Sequence, residues 1–225
     1  LIDIAVHSLK DVPTQLPNGI VKAFIPKRGA VEDVLVPKKD FTEKKNNSIA
    51  TSSLRRAAQW KFKNPNDNII DIRGNVPTRL KKLIKLQCGG AIMAKAGLVR
   101  LDLLPKNSIV LDWMVPAAGQ GAIMVNCLVK KKEMLENLKQ LNDEETELCV
   151  TQERNFLRKL EGGCSAPIGA YAKIQNNTVH FKGNITQKNG KKQLVFDKKV
   201  PLTNINKVGI MAVSYTHLTL PTRLS

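Results

Sequence analysis

The sequence predicts an α/β protein that closes with a smaller α+β unit, and three observations carry that expectation. Over the first two thirds, short apolar runs alternate with segments whose apolar residues recur at helical spacing, joined by polar turns. From Glu144 onward one long helical pattern gives way to three apolar runs separated by Asn and Gly turn signals. The chain has 225 residues, 42% of them hydrophobic, which is enough to bury more than one core.

Residues 1–6 read as a strand that leads into His7-Ser8-Leu9-Lys10-Asp11, where Val12-Pro13 ends regular pairing. A loop therefore presents Ser8, Lys10 and Asp11. Residues 48–51 form the next strand, and Ser52 or Ser53 caps a helix with Leu54, Ala58 and Phe62 along one face and Arg55 and Arg56 in its opening turn. A third strand over 69–72 turns through Arg73-Gly74-Asn75 into a helix beginning near Pro77, with Leu80, Leu83 and Ile84 as its apolar stripe and Arg79 near its start. Residues 91–93 form a fourth strand, leading to Ala96-Gly97-Leu98-Val99-Arg100. Such alternation predicts a mostly parallel sheet covered on both faces, with ligands bound outside the carboxyl ends of the strands, where the polar residues just named fall.

In the last third, Leu148, Phe156, Leu157 and Leu160 mark a helix that Gly162-Gly163 stops, with Cys164 in the loop beyond. Residues 170–174, 179–184 and 193–200 read as strands, with Asn176-Asn177 and Asn189-Gly190 as turns. Residues 214–225 show neither a helical stripe nor strand alternation and are read as an unassigned, foreign tail.

Composition narrows the function. Lys and Arg number 36 against 19 Asp and Glu, a net +17, so the partner is anionic. Only 4% of residues are aromatic and no helix-turn-helix, zinc-finger or aromatic-on-strand signature is present, which favours a small polyanion over nucleic acid. Cys88, Cys127, Cys149 and Cys164 are widely spaced with no C-x-x-C pair, so neither a metal site nor a disulfide framework is expected, and a reducing, cytoplasmic setting fits. No apolar run approaches the ~18 residues of a membrane span. The opening Leu1-Ile2-Asp3-Ile4, without an initiator Met, reads as the middle of a domain. The absence of an apolar seam favours a monomer.

Arginines at helix starts oppose the helix dipole at a cost of roughly a few tenths of a kcal/mol, whereas a bound anion would collect the dipole, the free N–H groups and the guanidinium forks together. For any one of Arg55, Arg56, Arg73 and Arg79, pairing with a surface carboxylate is the plainer explanation; for all four it is not. Asp11, among basic neighbours, suits stabilising a cation or moving a proton, although a lone Asp before Val-Pro is more often a turn former. A hydrolase triad of Ser8, His7 and Asp11 is disfavoured, because adjacent strand residues point to opposite faces. Cys164 beside a Gly-Gly stop is open to modification, while the other three cysteines read as small buried hydrophobes.

Five ordered motifs, His7-Ser8-Leu9-Lys10-Asp11-Val12-Pro13, Thr51-Ser52-Ser53-Leu54-Arg55-Arg56, Arg73-Gly74-Asn75-Val76-Pro77-Thr78-Arg79, Pro116-Ala117-Ala118-Gly119-Gln120-Gly121 and Leu160-Glu161-Gly162-Gly163-Cys164, resemble the porphobilinogen deaminase family across residues 1 to about 213. The resemblance implies two periplasmic-binding-protein-like α/β domains facing across a cleft and a small C-terminal α+β domain. Residues 1–26 and 121–142 would form the first, incomplete domain, 32–115 the second and 144–213 the third, with hinges near 26–31 and 116–120. It implies condensation of four porphobilinogen molecules into hydroxymethylbilane with loss of ammonia, primed by a dipyrromethane cofactor held through Cys164. Asp11 would be the catalytic carboxylate, with Lys10 beside it. Ser8, Lys10, Ser53, Arg55, Arg56, Arg73, Gly74 and Arg79 would hold the cofactor, and Arg73, Arg79 and Arg100 the substrate. By the same resemblance an N-terminal segment is missing, and this piece alone would be inactive. The competing readings are a non-catalytic two-lobed anion-binding protein and a basic nucleic-acid binder.

Overall fold

In a computed structural model, which describes residues 2–38, 48–160 and 167–219, the chain builds three separate sheets. The first joins β1 (Ile4–Ser8), β2 (Ile20–Phe24) and β8 (Ile123–Leu128) in the order β1-β8-β2, antiparallel throughout. Helix α4 (Lys132–Lys139) lays Met134, Leu135 and Leu138 against Ala23, Val125 and Cys127. A second cluster, with Leu9, Ile25, Ala122 and Met124, packs against Val150 of the long helix α5 (Glu144–Lys159).

The second sheet holds β3 (Asp33–Pro37), β4 (Ser48–Ala50), β5 (Asn68–Ile70), β6 (Gly90–Ala94) and β7 (Ile109–Val110) in the order β5-β4-β6-β3-β7. Helices α1 (Leu54–Lys63), α2 (Val76–Lys85) and α3 (Lys95–Arg100) follow β4, β5 and β6. Strand β4 runs parallel to β5 and β6, but β3 pairs antiparallel with both β6 and β7. The expected mostly parallel sheet is therefore corrected to a mixed one. Apolar patterning reports which faces of a strand are buried, not its direction; β3 enters from the segment after Pro26 and is turned by where that segment lies.

The third sheet is a meander of β9 (Ile168–Gln175), β10 (Thr178–Thr186) and β11 (Gln193–Pro201), backed by α5 and α6 (Ile205–Thr219). Asn176 and Asn177 take φ of 50° and 55°, the left-handed pair that a two-residue hairpin requires. Phe156 and Phe181 meet edge to face at the core of this unit.

The helix starts follow their caps: Ser53, Asn75 and Asp143 accept from the backbone N–H groups of Arg56, Thr78 and Thr146. Two stripes differ from expectation. Leu54 and Phe62 are exposed, and α1 instead buries Arg55, Arg56, Ala58, Gln59 and Trp60; on α2, Leu83 is buried but Ile84 is exposed. The unassigned tail is corrected in part, since residues 214–219 continue α6, while residues 220–225 lie outside the described residues. The Gly162-Gly163 stop also lies outside them.

Candidate functional site

Strand β1 ends at Ser8, and a single 3-10 turn over Leu9–Asp11 replaces the expected open loop. Leu9 is wholly buried and its N–H donates to the Ala122 carbonyl at 3.0 Å, which leaves Asp11 exposed and Lys10 half-buried beside it. From α5, the Arg154 guanidinium donates to the carbonyls of Leu9, Val12 and Pro13 at 3.3, 3.0 and 2.5 Å, gripping the turn from behind. Gly119, at φ 74°, lies against the Leu9 side chain, where any Cβ would collide.

Lys10 and Asp11 stand in a wall between two adjoining cavities of about 430 and 500 Å³, a wall completed by Arg56, Arg79 and Gln120. The first cavity is further lined by Ser8, Gly74 and Arg100, the second by Ser53, Arg55 and Arg73. Leu157 and Ile168, one on each side of the segment that contains Cys164, also line the second. Cys164 itself lies outside the described residues. The Arg100 guanidinium donates to the Gly121 carbonyl at 2.7 Å, Arg79 Nε to the Gly74 carbonyl at 2.7 Å, and the exposed Arg73 pairs with Asp71 at 2.9 Å.

Beneath the wall is a buried polar network. The wholly buried Asp33 carboxylate accepts from Arg55 at 2.7 Å, from Arg56 Nε at 2.9 Å and from Gln120 Nε2 at 3.0 Å. Burial by itself would push the Asp33 carboxyl up, but the two guanidinium charges outweigh it and hold the group at about 2. Burial draws Arg56 below its ordinary value, and Asp33 only partly opposes that, because Arg55 adds a like charge. Arg55 and Arg56 line the second cavity, yet both are 4% exposed and already paired, not with a surface carboxylate but with an interior one. Two guanidiniums against one carboxylate still leave a net positive wall, and Arg55 Nε is buried without a partner among the described residues.

Burial and the neighbouring Arg56 charge lower Lys10 to about 8, with Asp11 opposing. Its ammonium is thereby poised to titrate near neutrality. A second network joins the three sheets: Arg28 forks onto the buried Glu153 of α5 at 2.6 and 3.0 Å and donates from Nε to the Gln120 carbonyl at 2.9 Å. Glu153 also accepts from the N–H groups of Gly119 and Ala172. Asp33, Glu153 and Arg154 carry no signal in the sequence that marks them, and Gln120 stands in a motif without a role of its own. Arg28 and Gln120 both lie in segments expected to be hinges, which is the local signal they offer.

Among the described residues, the burials of Cys127 and Cys149 match their reading as small hydrophobes, while Cys88 is half-buried. Burial, then the Glu153 charge, pushes the Cys149 thiol up to about 12, so it is chemically quiet. No helix of the described residues is long and apolar enough to cross a membrane.

Residues 1–136 match the family model described as porphobilinogen deaminase, dipyromethane cofactor binding domain, and residues 147–212 match porphobilinogen deaminase, C-terminal domain. The porphobilinogen deaminase of Chloroherpeton thalassium is 42% identical over 198 residues, covering 86% of this chain and 63% of the relative. That of Limosilactobacillus reuteri strain DSM 20016 is 40% identical over 210 residues, covering 90% and 68%. This chain therefore spans roughly two thirds of the length of the curated relatives it matches. Among solved structures, YhfZ from Shigella flexneri aligns at a TM-score of 0.30 and 16% identity over 72% of this chain and 74% of its own, too slight a likeness to argue from.

Proposed function

Because the chain belongs to the porphobilinogen deaminase family, we propose that it is the greater part of an enzyme that condenses four porphobilinogen molecules head to tail into hydroxymethylbilane, releasing ammonia. The observation that carries this reading is the wall: one carboxylate, Asp11, set between two cavities and surrounded by Lys10, Arg56 and Arg79. Each porphobilinogen brings an acetate and a propionate, so a growing chain needs several fixed cations and one anionic group for the positive pyrrole that forms as ammonia leaves. Asp11 protonates or steadies the departing aminomethyl group, shelters the resulting cation, and accepts the proton lost when the ring regains aromaticity. Lys10, Arg79 and Arg100 neutralise carboxylates; Arg55 and Arg56 supply field from behind, with their direction set by Asp33.

The cavities suit a dipyrromethane cofactor, since their cations outnumber their carboxylates and Arg55 Nε lacks a partner among the described residues. Cys164 would hold it by a thioether, with Ser8, Lys10, Ser53, Arg55, Arg56, Arg73, Gly74 and Arg79 around its carboxylates and Arg73, Arg79 and Arg100 toward the substrate. The group supplies a primer with a free pyrrole carbon as nucleophile. In this reading residues 1–26 with 121–142, residues 32–115 and residues 144–213 are three domains, the first two periplasmic-binding-protein-like and incomplete in the first. The enzyme acts as a cytoplasmic monomer.

The test uses the full-length protein. Intact mass should exceed the sequence mass by two linked pyrroles, and Cys164→Ser should abolish the increment. Asp11→Asn should keep the increment yet nearly stop ammonia release. An unmodified full-length protein, or normal turnover in Asp11→Asn, refutes the reading.

A further inference from the structure

The outer face of the third sheet, opposite the face that α5 and α6 cover, carries a row of basic residues in register. Lys173 on β9, His180 on β10 and Lys199 on β11 are direct cross-strand neighbours. Side chains so placed stand about 5 Å apart at Cβ, so the two lysines flank the His180 ring on one face of the sheet. The Asp197 carboxylate on the same face reaches neither lysine of the row. Asp197 gives one oxygen to His180 Nε2 at 2.5 Å and the other to Lys182 at 3.2 Å, while Lys173 and Lys199 form no ion pair among the described residues. Both lysines are exposed. The strip is also concave: Lys173, Gln175, Asn176, Thr178, His180 and Lys199 line a cleft of about 400 Å³ that shares no residue with the two cavities described above.

We propose that this cleft is a second anion site, selective for a phosphate group, with the Lys173 and Lys199 ammoniums closing on the phosphate oxygens over the His180 ring. The two lysine charges, without an ion pair among the described residues, are offset once a dianion bridges them, and the side-chain amide groups of Gln175 and Asn176 and the Thr178 hydroxyl are uncharged polar groups in the same lining. The lining holds no aromatic ring other than the His180 imidazole, which offers little platform for a base and argues for the phosphate itself as the recognised group. The inference does not depend on the catalytic reading, because the cleft shares no lining residue with the two cavities.

The test is an amide-shift titration of isotope-labelled full-length protein at constant ionic strength, with inorganic phosphate, glycerol phosphate and chloride as three arms. Saturating shifts confined to residues 173–180 and 197–199 with either phosphate, and absent with chloride, are expected. Preference between the first two arms tells free phosphate from a phosphate monoester. Lys199→Gln should weaken binding here roughly tenfold, the loss of one charge-assisted bond, while Arg79→Gln should leave it unchanged. Non-saturating shifts, equal shifts with chloride, or full affinity in a Lys173→Gln/Lys199→Gln protein would each overturn the proposal.

Discussion

Replacing Asp33 by Asn tests the buried network most directly. The substitution keeps the size and some of the hydrogen bonding of a wholly buried side chain but removes the charge that Arg55 and Arg56 share. With the carboxyl held at about 2 in the fold against 3.8 for an ordinary one, the ionised form contributes about 2 kcal/mol by proton linkage. The sign follows from the depressed value: this stability is fully present above pH 3.8 and disappears as pH falls toward 2. Asparagine costs more than protonation, because two interior guanidiniums then face no anion at any pH; stranding a buried charge costs roughly 3–5 kcal/mol. For a chain of 225 residues that corresponds to a melting point lower by roughly 6–20 °C. Thermal melts at pH 7 and pH 3 measure it, and the difference between parent and variant should shrink at the lower pH. A variant melting within about 2 °C of the parent at pH 7 would show that the network is not what holds Arg55 and Arg56 in place.

Three further outcomes follow from the same geometry. Lys10, lowered from 10.5 to about 8, destabilises the fold below pH 8 by roughly 3 kcal/mol, a penalty that fades as pH climbs to 10.5; Lys10→Met should melt higher than the parent at pH 7 and equal it near pH 10.5, and in the parent, anion affinity in the two cavities that Lys10 lines, measured by calorimetry, should fall as pH rises through 8. Gly121→Ala places a Cβ directly against the Ala30 carbonyl oxygen at φ 84°, whereas Gly19→Ala has the same φ with open space around it; urea denaturation should show the first costing at least about 1 kcal/mol more than the second. Arg154→Ala frees the carbonyls of Leu9, Val12 and Pro13, and hydrogen exchange should quicken at the amides of residues 9–12 while those of the third sheet stay protected.

Local chemistry sets much of this molecule. The caps Ser53 and Asn75, the Asn176-Asn177 hairpin and the chain positions of Ser8, Lys10, Asp11, Arg79 and Arg100 are consequences of short stretches of sequence, and the structure brings all five of those side chains to one cavity. The motifs could be seen because each one couples a turn residue to a charged one within a few positions. What could not be seen was which of the charges are satisfied. Arg55 and Arg73 look alike in the sequence, both placed where a strand gives way to a helix, yet one is buried on Asp33 and the other exposed beside Asp71.

The difference comes from partners distant in the chain. Asp33 lies 22 residues before Arg55, Gln120 lies 87 after Asp33, and Glu153 lies 125 after Arg28. A segment of sequence specifies its turns and caps through contacts it makes with itself, so those are legible in order along the chain, whereas packing decides which residues of α1 and α2 are buried. The direction of β3, the polar face of α1 and the grip of Arg154 on the Asp11 turn depend on segments that meet only after the sheets have packed, and burial there decides which charges remain open to a ligand.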